Sequence, residues 1–171
     1  MDFDDVRKLA TVATRTVPLC LAGEVLDEVD ALQAQLAATP KQRNLGDATR
    51  RELTELLAGA QERMREATVA FRLRAMHPKA WTALLARQPT REDKEDLEVY
   101  QGRIYPWHAE VVAGTVVEPA MNVGQVDELV GLINGGTWMT LAGACMQLNG
   151  GKVDIPNFDA ASAPTPDSGP A

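Results

Sequence analysis

Apolar residues recur along this chain with two different periods, and the switch between them marks its first boundary. Over residues 14–22, Thr-Arg-Thr-Val-Pro-Leu-Cys-Leu-Ala, the side chains of Val17, Leu19 and Leu21 alternate with Thr16, Pro18 and Cys20. A period of two predicts a β-strand with one buried face. Pro18 has no N–H to give to a ladder, so the strand belongs at a sheet edge or in an extended arm. A lone strand among helices needs a partner, in a short hairpin or on another chain.

From Gly23 the period lengthens. Val25, Val29, Leu32 and Leu36 step by four, three and four residues, a heptad seam on a helix ending near Pro40. Residues 39–47 read as a polar loop, with Asp47 placed to cap the next helix. There Leu53, Leu57, Ala60, Met64, Ala67 and Phe71 keep the same stepping, which predicts one long helix to about Met76. Two heptad-patterned helices joined by a short loop make an antiparallel hairpin. The regularity of the seam favours a hairpin that projects over two helices packed separately on a core.

Prolines punctuate the rest. His77-Pro78 ends one helix and suits the first turn of the next, whose Trp81, Leu84 and Leu85 share a face. After Pro89, Thr90-Arg91-Glu92-Asp93 has the form of a capping box for a charged helix to about Gln101. Pro106 begins a helix bearing Trp107, Val111 and Val112, and Pro119 closes that segment. Asn122 is placed to cap a helix with Val126, Leu129, Val130 and Ile133 inward. Gly135-Gly136 reads as a break, and Thr137 as the cap of a last helix with Trp138, Leu141, Ala142, Cys145 and Leu148 inward. Gly150-Gly151 ends it. The expectation is a mainly α fold: an N-terminal arm, strand or short hairpin (1–22), a helical hairpin (23–76), a compact bundle of short helices (77–150), and a tail (151–171). The tail is too rich in Pro, Ala, Ser, Asp and Gly to order itself.

Composition narrows the class. The 171 residues carry a formal charge of −7, the wrong sign for phosphate-backbone binding. Arg63, Arg65, Arg72 and Arg74 do cluster, but the arginines of this region are interleaved with glutamates and read as a solvated helix face, so no nucleic acid is expected. The N-terminus, Met1-Asp2-Phe3-Asp4-Asp5, is acidic where a secretory signal is basic. No apolar run approaches the roughly 18 residues of a membrane span. A cytoplasmic protein with Cys20 and Cys145 reduced is expected.

Chemistry is hard to find. His77 stands beside Pro78 and His108 follows Trp107, neither in a metal-ligand spacing, and both read as structural or surface residues. Cys20 and Cys145 read as small core residues. The glycine pairs lack the strand, helix and Lys-Ser/Thr context of a phosphate loop. The carboxylates are many but solvated. No catalytic, cofactor or metal site is expected, and the protein should act by binding another protein. Trp81, Trp107 and Trp138, each near the start of its own helix, either share one core or line a partner groove, because tryptophan is enriched at interface hot spots.

The order of these features resembles the tail assembly chaperones of long-tailed (siphovirus-type) phages and prophages of actinobacteria. The phrases that carry it are Thr16-Val17-Pro18-Leu19-Cys20-Leu21 before the hairpin, Lys79-Ala80-Trp81 through Gln88-Pro89 before a charged stretch, Tyr105-Pro106, Val117-Glu118-Pro119, Asp127-Glu128-Leu129, and Gly135-Gly136-Thr137-Trp138 running to Leu148-Asn149. They span residues 14–150. The resemblance implies a non-enzymatic helical protein of the host cytoplasm that binds the tape-measure protein, keeps it soluble, helps recruit tail-tube subunits and is absent from the finished virion. It also implies a longer form made by ribosomal frameshifting. Gly150-Gly151-Lys152 is a tripeptide that a G-run followed by A's can encode, and coding DNA without a slip site there would rule that out. Partner contacts are expected from Leu53, Leu57, Met64 and Phe71 on the hairpin and from Trp81, Trp107 and Trp138 in the helical domain. The hairpin set competes with its own seam against Val25, Val29, Leu32 and Leu36. The edge strand and hairpin also favour a homo-oligomer. The competing reading is a structural virion protein, such as a head-completion, connector or minor tail subunit; a small enzyme is a third.

Overall fold

A computed structural model describes residues 2–39 and 46–151. Residues 40–45 of the expected polar loop and the tail beyond Gly151 lie outside the described residues, and Asp47 falls within the helix it was expected to cap. The chain is mostly helical with one small antiparallel sheet. In order the elements are α1 (Phe3–Leu9), β1 (Thr14–Cys20), α2 (Gly23–Ala38), α3 (Gly46–Glu66), β2 (Thr68–Arg74), α4 (Pro78–Leu85), α5 (Leu97–Thr115), β3 (Val116–Glu118), α6 (Val123–Leu132) and α7 (Gly135–Gly150).

The alternation in β1 predicts its structure correctly: Val17 and Leu19 are buried and Thr16 and Pro18 exposed. Its partner is β2 of the same chain, in the sheet order β1-β2-β3. The carbonyl of Ala13 accepts from Ala75 N–H at 2.9 Å and Leu21 N–H donates to Ala67 O at 3.0 Å. Odd-numbered residues of β1 therefore bond inward to β2, and even-numbered ones point their amides outward. Pro18 falls on the outward set, where its missing N–H breaks no ladder bond and blunts the edge against another strand.

β2 corrects the expected long helix. α3 stops at Glu66, not near Met76, and Phe71 lies in the central strand opposite Val17. Thr68–Arg74 satisfies two patterns at once. Phe71 continues the heptad from Met64, but Phe71 and Leu73 also alternate with Ala70, Arg72 and Arg74. Pairing with β1 decides for the strand, because it buries Phe71 and Leu73 and leaves the arginines in solvent. The hairpin of α2 and α3 is thus inserted between two neighbouring strands. Its seam forms as expected, with Val29, Leu32 and Ala60 buried and Leu53, Leu57 and Met64 half-buried against them.

Three further boundaries differ from the sequence reading. No helix starts at Thr90: Lys94 takes a left-handed φ of 62°, which ends any helical run there, and Asp96 caps α5 by accepting from Glu98 N–H at 2.8 Å. Pro106 lies inside α5 instead of opening a helix. It removes one intrahelical bond, and the buried Ile104, Trp107, Ala109, Val111 and Val112 hold the helix together around it. Asn122 caps α6 in a full capping box with Gln125. α7 is capped by Asn134, whose Oδ1 accepts from Thr137 N–H at 2.8 Å, so Gly135 and Gly136 form its first turn and Thr137 lies inside it.

The main core lies between the inner sheet face and α4–α7. Val17, Leu19, Phe71 and Leu73 meet Val111, Val112, Trp138, Leu141 and Cys145. Asn149 bolts three elements together near its edge. Its Oδ1 accepts from Met76 N–H at 2.7 Å, and its Nδ2 donates to Thr115 Oγ1 and Cys145 O, both at 2.8 Å.

Candidate functional site

The residues expected to touch a partner are not gathered on one surface. Phe71, Trp107 and Trp138 are 1%, 4% and 1% exposed, so none of the three offers its side chain to another molecule. Trp107 donates from Nε1 to Leu84 O at 2.9 Å, tying α5 to α4. Trp81 is half-buried against the same core, 6.5 Å from Trp107 between ring centroids. The tryptophans thus share one core. Leu53, Leu57 and Met64 turn inward to the hairpin seam. That stripe is spent within the chain, for the reason that a heptad seam on each of two linked helices is most cheaply covered by the other.

Neither cysteine is bonded to the other, and Cys20 Sγ rests 3.7 Å from Ala22 O. Burial pushes the Cys145 thiol up to about 12, which leaves it protonated and a poor nucleophile at neutral pH. His77 caps α4, its Nδ1 accepting from Lys79 N–H at 3.2 Å. Among the described residues no three His, Cys, Asp or Glu side chains converge as metal ligands, and no helix is long and apolar enough to cross a membrane.

What the structure does assemble is a cleft of about 330 Å³ between α5 and α7. One wall is the stripe Leu97, Tyr100, Ile104, Tyr105 and His108 of α5, at helical spacing. The other is Met139 and Met146 of α7, two turns apart with Gly143 between them on the same face. Space above Gly143 is open: a Cβ built there meets no atom within 4 Å. Leu97 is 53% and Met139 49% exposed, large apolar side chains facing solvent from both walls. The lining holds no lysine, arginine or carboxylate.

His108 is the one titratable imidazole in that lining. Burial holds its pKa below the ordinary value, and its Nδ1 is buried without a hydrogen-bond partner. Tyr105 meets its ring edge-on at 6.4 Å. The imidazole is therefore neutral at pH 7, and the cleft carries no charge.

Two other hollows differ in this respect. That between Val12 and Pro78 includes Arg74, and the one beside α4 is flanked by Arg87 and Glu110, ion-paired at 2.6 Å. The uncharged cleft also stands out against a surface otherwise dense in ions. One signal of it was present in the sequence: from Leu129 to Gly151, through the whole of α7, there is no charged residue. The α5 wall gave no such signal, because Pro106 masked the continuity of its helix. In comparisons with known proteins, no family model, no curated protein and no solved structure matches this chain.

Proposed function

We propose that this chain is a tail assembly chaperone of a long-tailed phage or prophage of actinobacteria. In the host cytoplasm it binds the tape-measure protein, keeps it soluble and helps recruit tail-tube subunits around it. The observation that carries this reading is the uncharged, methionine- and tyrosine-lined cleft between α5 and α7. A tape-measure chain is long, helical and apolar, and aggregates unless its apolar faces are covered. A cleft with flexible methionines on one wall accommodates apolar helix faces of varied shape. A charge of −7 on the remainder of the molecule keeps the loaded complex soluble. The client site in this reading is the cleft and not the hairpin stripe, which covers itself.

Co-expression with a phage tape-measure protein, followed by pull-down and a solubility assay, tests the role. The expected result is capture of the client and a raised soluble fraction. A client that stays insoluble and is not captured, with this chain recovered at fixed stoichiometry in purified particles, would replace the chaperone by a structural virion protein.

A further inference from the structure

We propose that the α5–α7 cleft selects helices that are apolar along one stripe and basic at the end or flank that meets the start of α5. The inference rests on the reading of this cleft as the client site and adds the charge of the segment it takes. At the Leu97 end of the cleft the chain runs through Arg91, Glu92, Asp93, Lys94, Glu95, Asp96 and Glu98. Arg103 is already paired with Glu95 at 2.6 Å, on a face of α5 turned away from the cleft stripe. Arg103 also donates to Thr90 O at 3.2 Å and Arg91 to Glu95 O at 3.0 Å, so these contacts tie the 90–95 loop to that same face, and the charges directly flanking Leu97 at the mouth are Asp96 and Glu98. The mouth is therefore net acidic, while the α7 wall is neutral throughout. A helix lying along α5 from Leu97 to His108 covers about 16 Å, or three turns. Its apolar stripe meets Met139 and Met146, and its backbone approaches α7 most closely over Gly143, where no side chain stands in the way.

Charge also argues against the chain filling its own cleft. Phe3 of α1 is 78% exposed and has an apolar side chain to offer, but it arrives flanked by Asp2, Asp4 and Asp5. The apolar residues after α7, Val153, Ile155 and Phe158, are likewise spaced by Asp154 and followed by Asp159. Helix α1, whose Arg7 and Lys8 lie at its other end, is seven residues long, shorter than the three turns of the cleft. Seating Phe3 or the Val153–Phe158 stretch at the mouth would place carboxylates against carboxylates, which costs affinity and slows encounter. A basic partner gains on both counts.

The test uses the full chain and two labelled helical peptides of about 18 residues. Both carry the same leucine stripe at i, i+3, i+4 and i+7; one has lysines and the other glutamates at the flanking positions. Fluorescence anisotropy should show the lysine peptide binding at least about tenfold tighter at low salt, with the preference shrinking as salt screens the mouth. Gly143→Trp should fill the cleft and abolish binding of both peptides. If that variant melts early, Met139→Glu, on an exposed side chain, is expected to do the same. Glu98→Lys, beside Leu97 at the mouth, should erase most of the preference. Equal affinity for the two peptides, or binding undiminished by Gly143→Trp or Met139→Glu, overturns the proposal. Tape-measure capture by the wild-type chain that survives Gly143→Trp would sink the cleft but leave the chaperone role standing; no capture by wild type would sink the role itself.

Discussion

In the body of this protein, α7 lays Trp138, Leu141, Ala142 and Cys145 against a sheet face of Val17, Leu19, Phe71 and Leu73, all of them buried. In the hairpin, the buried set among the described residues is Val29, Leu32 and Ala60, with Leu53, Leu57 and Met64 half covered. The body is closed by side chains from many elements and by buried hydrogen bonds through Trp107 and Asn149. The hairpin has one seam, supported at its rim by the exposed Arg63–Glu28 pair at 2.6 Å and by Arg50, which donates to the Leu36 carbonyl at 3.1 Å and the Thr39 carbonyl at 3.3 Å. Exposed pairs of this kind contribute about 0–1 kcal/mol. Two helices inserted between adjacent strands and held by one thin seam open more readily than the core that anchors them.

The comparison breaks most visibly at Phe71. It is 1% exposed in the central strand, with Val17 as its register partner. Phe71→Ala should cost about 3–5 kcal/mol, read as a global shift of the urea midpoint with both regions unfolding together. Leu32→Ala should cost about 2 kcal/mol, yet act locally. Amide hydrogen exchange is expected to speed up in α2 and α3 and to stay unchanged in β2 and α7. If Leu32→Ala accelerates exchange in β2 and α7 to the same degree, the two regions form one cooperative unit and the distinction fails.

How much of this was legible in the sequence follows from the same contrast. The hairpin seam was readable because its stripe obeys one period and is covered by the adjacent helix. β1 was readable because only a strand buries Val17 and Leu19 while exposing Thr16 and Pro18. β2 was not, since residues 64–74 fit period 2 and the heptad equally until β1 is known to lie beside them. α5 was cut in two at Pro106, because a proline's local preference is visible in sequence while the packing that overrides it is tertiary. The cleft was missed for a related reason: its walls come from helices separated by β3 and α6, so no local window contains it. Of its residues only His108 was weighed, and its reading as structural or surface does not conflict with a place in the lining. Of the two readings open for the tryptophans, the shared core is the one found. The sequence could not separate them, since a large aromatic on a helix looks the same in a core and at an interface, and Trp107 lies mid-helix in α5 instead of near a start.

The body's own weak point is His108, and acid sharpens the contrast there. Burial lowers its folded-state pKa, so below the ordinary value of 6.5 the unfolded chain takes up a proton that the folded chain resists. Stability therefore falls as pH drops from about 7 through 6 and is recovered above. Urea midpoints at pH 7.5 and 5.5 should differ for wild type and differ less for His108→Phe, which cannot titrate and removes the orphaned Nδ1. An equal loss in both proteins would assign the acid sensitivity to other groups.

The smallest effect discriminates between two glycines of one helix. Gly143 lies mid-helix in α7, and a Cβ there meets nothing within 4 Å. Gly143→Ala should therefore stabilise the chain by about 0.5–1 kcal/mol, through the lower backbone entropy of the unfolded state. Gly151, at the C-cap, has its amide bonded to Gln147 O at 2.7 Å, and a Cβ there would collide with that same carbonyl oxygen. Gly151→Ala should loosen the last turn and lower the melting temperature. That turn holds Asn149, so the loosening would reach Met76 and Thr115 as well. At position 143 the open space above the backbone is where a partner helix seated in the cleft would cross. Gly143→Ala should thus raise the melting temperature and, by adding a methyl at the closest approach, weaken peptide binding; a variant that is both more stable and an equal binder would show that no helix comes close to this point.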